Sequence, residues 1–396
     1  MKSTRLTLFL VALVVVGAAC ASKSGGSTGM GGASGEGGKQ GPSGAESTGG
    51  TQGMGATPAT GGASGKGGAE ATGGAGGASA GDAGREVPAK DDAPAADSPA
   101  PTDAPGGTVD ASRVETQGGE AIRPRTIKTR GFTFDALESG PSTVEPVLLL
   151  HGFPDTSLEW TSLMPVLAAA GYHCLALDQR GYSPGARPTE VDAYKYEELV
   201  ADAFAIGGEV GDRFHVVGHD WGANVGWLML QKDPSRIASF TAISIPHYQV
   251  WARSVYDDPK MASYLSMLNQ WMSDGESIWT AAQMKTMWKA KPADQRDATI
   301  AHMTEPGAMT AALNWYRASD GHKRVFEDFD LWQVSVPTLL IHGSTDVGER
   351  SLTDTAPLMT GPYRVVRPTG GHFIVDEQPK VVADEILAQL RAYPLK

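Results

Sequence analysis

Cysteine is scarce in this chain: there are two in 396 residues, Cys20 and Cys174. That excludes a disulfide-stapled scaffold, and no His/Cys cluster suggests a metal or organic cofactor. Positive charge is also in short supply. Lys and Arg total 33 against 45 Asp and Glu, the net charge is −12, and no compact basic run occurs, so a nucleic-acid partner is not expected. Large apolar residues are almost missing between Val16 and about Gly119, where Gly, Ala, Ser, Thr and Pro dominate. Such a segment cannot bury enough surface to offset its ordering entropy, so residues 21–119 are expected to form a disordered linker. The fragment Gly-Gly-Ala-Ser-Gly occurs at 31–35 and again at 61–65. These echoes contain nothing to pack and do not make a solenoid.

The N-terminus carries a different pattern. Lys2 and Arg5 precede the apolar run Leu6–Val16, and small residues follow. This reads as a secretory signal over residues 1–20, too short to span a bilayer by itself. It closes on Val16-Gly17-Ala18-Ala19-Cys20, which resembles a bacterial lipoprotein processing site with Gly17 where Leu is usual. The resemblance implies lipidation of Cys20, a membrane anchor, and, with Ala21 next, an exported protein held at the outer membrane. An ordinary cleaved signal followed by an accidental cysteine is the alternative. Cys174 lies in an apolar run, where a buried inert thiol is expected.

From residue 120 to 396 the composition becomes that of one domain with a full core. Short apolar runs at Val147–Leu150, Cys174–Leu177, Phe214–Val217, Phe240–Ile245, Pro337–Ile341 and Tyr363–Val366 alternate with helix-like stretches. The latter include Leu158–Ala170, Tyr194–Ile206, Ala223–Gln231 and Val381–Ala392. This alternation predicts an α/β fold with a mostly parallel central sheet covered by helices on both faces. It breaks once: residues from about 247 to 332 are rich in Trp, Met and Tyr and show no strand, which predicts an inserted helical lid.

Active sites of open parallel sheets lie at the carboxyl ends of the strands. After Phe214–Val217 comes Gly218-His219-Asp220-Trp221-Gly222, then a helix pattern, the setting of a nucleophile elbow. Its central residue is a carboxylate where esterases have Ser, and a carboxylate can attack an sp3 carbon and form an ester with it. Asp220 as a simple helix cap is the plainer alternative. After Val147–Leu150 comes His151-Gly152-Phe153-Pro154-Asp155. The backbone N–H groups of Phe153 and Trp221 would form an oxyanion hole, and Pro154 suggests a fixed turn with a possible cis peptide. Asp346 follows Pro337–Ile341, and His372 follows Tyr363–Val366. The chain order is thus nucleophile, orienting acid, general base. A lone Asp or His in a loop is usually solvated or a cap, but four elements in order, each after a strand-like run, are hard to obtain by accident.

On these motifs, together with Asp178-Gln179-Arg180-Gly181-Tyr182, residues 123–396 resemble the α/β-hydrolase superfamily, in its epoxide hydrolase and haloalkane dehalogenase branch. The resemblance gives Asp178 and Arg180 a structural role. It implies two lid tyrosines that donate to the epoxide oxygen. Tyr316, in Leu313-Asn314-Trp315-Tyr316-Arg317, is the first; Tyr264 is the second, with Tyr256 as its alternative. The expected substrate is a small apolar epoxide. A haloalkane or haloacid dehalogenase using the same Asp-His-Asp set is the runner-up, disfavoured because Phe153 stands where a halide-binding Asn or Trp is usual. A surface lipoprotein that binds without turnover is a third reading, set back by the full complement of catalytic residue types.

Overall fold

The computed structural model describes residues 121–395. The signal at 1–20, the anchor on Cys20 and the linker at 21–119 lie outside the described residues. The first two strands, β1 (Arg123–Thr129) and β2 (Phe132–Ser139), form a hairpin. Its turn, Arg130-Gly131, has positive φ at both residues, as a tight hairpin whose twist matches its strands requires. The sequence reading did not anticipate this pair, since polar residues interrupt both strands.

Next come β3 (Glu145–Leu150), helix α1 (Met164–Ala169), β4 (Tyr172–Leu177), α2 (Tyr196–Gly207), β5 (Phe214–His219), α3 (Trp221–Lys232) and β6 (Ile237–Ile243). Six helices then follow without a strand: α4 (Tyr248–Asp257), α5 (Ala262–Ile278), α6 (Ala281–Met287), α7 (Ala293–Met303), α8 (Ala308–Ala318) and α9 (Arg324–Glu327). The chain returns to the sheet through β7 (Thr338–Ile341), α10 (Glu349–Thr355), β8 (Tyr363–Val366), α11 (Ile374–Glu377) and α12 (Pro379–Ala392). The stretch expected as one helix over Leu158–Ala170 is a single 3-10 turn at Ser157–Trp160 followed by α1. Pro165 starts the second piece: it lacks the N–H a helix interior needs but fits a first turn.

The eight strands lie in the order β1-β2-β4-β3-β5-β6-β7-β8. The β1/β2 and β2/β4 pairs are antiparallel, and every pair from β4/β3 to β7/β8 is parallel. Alternate residues of the central strands feed two separate cores. Leu148, Leu150, Val216, Phe240 and Leu340 belong to one. Val147, Leu149, Val217, Ile243 and Leu339 belong to the other. A period of two cannot place neighbours on one face, so apolar runs without alternation mark strands covered on both sides. The first core packs against α2, α3 and the α4–α9 segment, the second against α1 and α12. Cys174 is a free, buried thiol in the second, and burial pushes it up to about 12.

Candidate active site

The site sits where β3, β5, β7 and β8 end. Between β5 and α3 the chain reverses at Asp220, whose φ is 48° and ψ −115°. A non-glycine residue at positive φ is strained and needs neighbours that hold it there. Glycines at 218 and 222 make that possible. A Cβ on Gly222 would strike the carbonyl oxygen of Leu150 in β3, and one on Gly218 would strike the first turn of α3. The Asp220 N–H donates to the Ile243 carbonyl at 3.2 Å, and its carbonyl accepts from Asn224 N at 3.0 Å. The side chain is left to point above the sheet.

Both carboxylate oxygens of Asp220 are held. Oδ1 accepts from the Phe153 backbone N–H at 2.9 Å. Oδ2 lies 3.4 Å from His372 Nε2. Among the described residues no hydrogen bond runs from the Trp221 N–H to the carboxylate, although Trp221 opens the helix beside it. The Phe153–Pro154 peptide is cis. His372 Nδ1 is 3.2 Å from Asp346 Oδ2, and Asp346 also accepts from the Val347 N–H at 2.8 Å.

These contacts fix the charges. Burial alone would raise Asp220, but the hydrogen bond and charge of His372 outweigh it and hold the carboxyl at about 2. Burial would lower His372, but the Asp346 charge and the contacts with both carboxylates drive it well above its ordinary value. Asp346 is likewise lowered against its burial by His372. The resting arrangement is an imidazolium between two carboxylates.

Tyr316 is buried, its ring edge-on to Phe153 at 5.0 Å and to Trp221 at 5.1 Å. Burial and then the Asp220 charge push its phenol well above the ordinary value. The Tyr264 phenol is raised in the same way, by burial, Asp220 and Asp346. Both stay protonated and can donate. Tyr256 is occupied elsewhere: its hydroxyl donates to the carbonyls of Asp320 at 2.9 Å and Gly321 at 3.0 Å. Phe153, Trp271 and Trp279 pack ring to ring beside Tyr316, with centroids 5.0–5.7 Å apart.

Asp178 and Arg180 stand back from the reacting groups. Asp178 accepts from the Ser157 N–H at 2.6 Å, and Arg180 makes a two-pronged pair with Asp202 at 2.6 and 2.9 Å. The Arg180 carbonyl accepts from Trp315 Nε1 at 2.8 Å, tying α8 to the loop after β4.

A layer of charge beneath the site escaped the sequence reading. His219 Nε2 donates to the His372 carbonyl at 2.9 Å, and its Nδ1 lies 2.5 Å from Glu159 Oε1. Glu159 Oε2 accepts from the Gly152 N–H at 3.2 Å. Burial opposes a charge on His219, but Glu159 raises it. The pair joins the three loops that carry Phe153, Asp220 and His372. Beside it the fully buried ammonium of Lys291, between α6 and α7, lies 2.8 Å from Asp155 Oδ2 and 3.2 Å from Asp376 Oδ1. The one signal for these residues is Glu159 itself, an acid between Leu158 and Trp160; Lys291 has none.

Comparison with known proteins agrees with this geometry. The family described as the α/β hydrolase fold matches residues 145–379. Epoxide hydrolase A of Mycobacterium tuberculosis is 31% identical over 316 residues, covering 69% of this chain and 98% of that protein. The AB hydrolase superfamily protein YfhM of Bacillus subtilis is 27% identical over 305 residues, covering 69% and 99%. Among solved structures, epoxide hydrolase A from Mycobacterium thermoresistibile superposes with a TM-score of 0.55 at 26% identity, over 69% of this chain and all 100% of that one. An epoxide hydrolase from Vigna radiata shares the fold, with a TM-score of 0.60 at 21% identity over 69% and 98% of the two chains. Strand order, elbow and matched length together show that this chain belongs to the α/β-hydrolase family, as an epoxide hydrolase-like member.

Proposed function

We propose that the protein opens an epoxide to a vicinal diol through an ester on Asp220. The observation that carries this reading is the division of labour between the two oxygens of that carboxylate. Oδ1 rests on the Phe153 N–H, where charge can collect, and Oδ2, 3.4 Å from His372 Nε2, is the oxygen that attacks. Oδ2 forms a bond to a ring carbon as the ring C–O bond breaks. The departing oxygen takes a proton from Tyr316 or Tyr264. The product is a hydroxyalkyl ester, and the Asp220 charge is gone.

That loss changes His372. The imidazolium no longer has Asp220 to stabilise it, so it gives up its proton, which replaces the one the phenol lost. Neutral His372, oriented by Asp346, then takes a proton from water as the water oxygen adds to the ester carbon. The tetrahedral oxyanion sits at the Phe153 N–H, with the Trp221 N–H as the second donor once the carboxyl carbon becomes tetrahedral. Collapse expels the diol oxygen, which takes the proton back from His372. The Asp220 carboxyl then passes its remaining proton to His372, which restores the carboxylate and the imidazolium, and Asp220 leaves the cycle carrying one oxygen from water.

Single-turnover hydrolysis in heavy-oxygen water tests the reading. Unlabelled diol in the first cycle, with label on Asp220, is expected; labelled first-cycle diol and an unlabelled side chain would overturn it. The same assay run on haloalkanes separates the runner-up: halide release in place of diol formation assigns the carboxylate to dehalogenation. Asp220→Ala should abolish turnover in either case.

We also propose that Cys20 carries a lipid that holds the enzyme on the bacterial cell envelope, on the strength of the Ala18-Ala19-Cys20 sequence after Leu6–Val16. Cys20→Ser should release the protein from the membrane fraction; unchanged membrane association would sink the proposal.

A further inference from the structure

Tyr316 is followed by a second polar residue at the reaction centre that the mechanism does not use. His322 is buried, and its ring lies over Trp221 with centroids 4.7 Å apart and planes tilted by 32°. It meets Tyr316 edge-on at 5.5 Å. The backbone is bent to put it there. Asp320, Gly321 and His322 have φ of 49°, 59° and 76°, three left-handed residues in succession. At the two that are not glycine this backbone is strained and persists only where neighbours hold it. The turn is locked by the His322 N–H to Ser319 Oγ at 3.2 Å, by the Gly321 N–H to the Tyr316 carbonyl at 2.9 Å, and by the Tyr256 hydroxyl.

The ring is fixed as well as the backbone. Nδ1 pairs with the Tyr248 hydroxyl at 2.8 Å, and Tyr248 pairs with the Tyr196 hydroxyl at 2.8 Å. Burial holds the imidazole down at about 4 against the pull of the Asp220 charge, so it is neutral at pH 7. A neutral imidazole with Nδ1 engaged has one hydrogen-bonding position left, Nε2, and among the described residues nothing takes it. The rings packed against the imidazole are those of Trp221, Tyr248 and Tyr316, and Phe153 and Trp271 pack in turn against Tyr316.

We propose that His322 Nε2 binds a hydrogen-bonding substituent next to the epoxide ring, which makes the preferred substrate an epoxide with an apolar body and an adjacent hydroxyl or carbonyl oxygen. This rests on the epoxide reading above and deepens it. The strained turn, the Tyr196–Tyr248 clamp and the vacant nitrogen then have one purpose: to hold a polar contact at fixed distance from the nucleophile, so that substituent binding also orients the ring.

Two probes differing by one hydroxyl test it on the whole protein: 2-methyl-3-phenyloxirane and its hydroxymethyl counterpart, 3-phenyloxiran-2-ylmethanol. The readout is the ratio of their kcat/KM values, which a partly unfolded preparation does not change. In His322→Leu the preference for the hydroxylated probe should fall by about tenfold, the worth of one hydrogen bond. His322→Asn, which tolerates positive φ and keeps a polar atom, should retain most of it. Tyr248→Phe leaves every atom of the histidine in place but frees its ring, and should lose part of the preference, which keeps the test valid if the leucine variant does not fold. An unchanged ratio in His322→Leu, or in Tyr248→Phe where that alone folds, overturns the inference and leaves the epoxide reading standing. Wild-type protein that opens neither probe overturns both.

Discussion

The Lys291 ammonium lies 2.8 Å from the Asp155 carboxylate, so a residue between two helices of the inserted segment is ion-paired with the loop that carries Phe153. Both side chains are buried, and Asp376, two residues past the start of α11, completes the group at 3.2 Å. Removing the cation strands two carboxylates. Lys291→Met should therefore destabilise the fold by about 3–5 kcal/mol, the usual cost of breaking one side of a buried pair. Thermal unfolding measures it, and a loss no larger than that of Lys380→Met, at an exposed pair with Asp384, would contradict it. Asp376 adds a pH term. Burial, against Lys291, raises it to about 7. A carboxyl raised in the folded state contributes stability below its unfolded value that is lost as pH rises through about 7. Asp376→Asn should accordingly gain on the wild type as pH climbs from about 4 to 8.

The charges on Asp220 and His372 predict a split between the two kinetic parameters. In the free enzyme Asp220 is held at about 2 and His372 is cationic. The kcat/KM for alkylation should therefore stay flat on the acid side of neutrality. In the ester the Asp220 charge is gone, so His372 titrates lower than in the free enzyme, and its neutral form is the base. Ester hydrolysis should fall as pH drops through that lower value, and kcat with it. Pre-steady-state measurements of the two steps would show this. An acid limb of the same midpoint in both parameters would not fit.

Gly152 offers a way to move the nucleophile without altering it. A Cβ there would come within 2.7 Å of the Asp220 Cβ and 3.2 Å of its Oδ1. Gly152→Ala must push the carboxylate away from the Phe153 N–H. A displacement of this kind costs about a hundredfold in turnover. Circular dichroism should report an intact fold, and turnover within about twofold of the wild type would be the contrary result.

The two lid tyrosines considered for the second donor should separate cleanly. Tyr264 feels the Asp220 charge, and Tyr256 spends its hydroxyl on two backbone carbonyls. Tyr264→Phe should lower kcat/KM on epoxides by about 100-fold or more, the range for a lost general acid. Tyr256→Phe should act on stability instead, by about 1 kcal/mol. Equal kinetic effects in the two variants would count against the assignment.

Much of this protein can be read along the chain because it depends on local spacing. Unbroken apolar runs identify the doubly covered strands, and the glycines two residues to either side of Asp220 identify the sharp turn, since a Cβ at either would strike backbone. Residues that follow successive strands share one end of a parallel sheet, so Asp220, Asp346 and His372 could be grouped before any coordinates existed. The β1/β2 hairpin was not legible, because the edge strand β1 is largely exposed and polar residues in both strands blur the pattern. Pairings across long separations were not legible either. Glu159 with His219, Lys291 with Asp155 and Asp376, and Tyr248 with His322 span 60, 136, 85 and 74 positions. No period or motif links such residues. Burial brings them together, because a charge or ring nitrogen removed from water must find its partner wherever the folded chain supplies one.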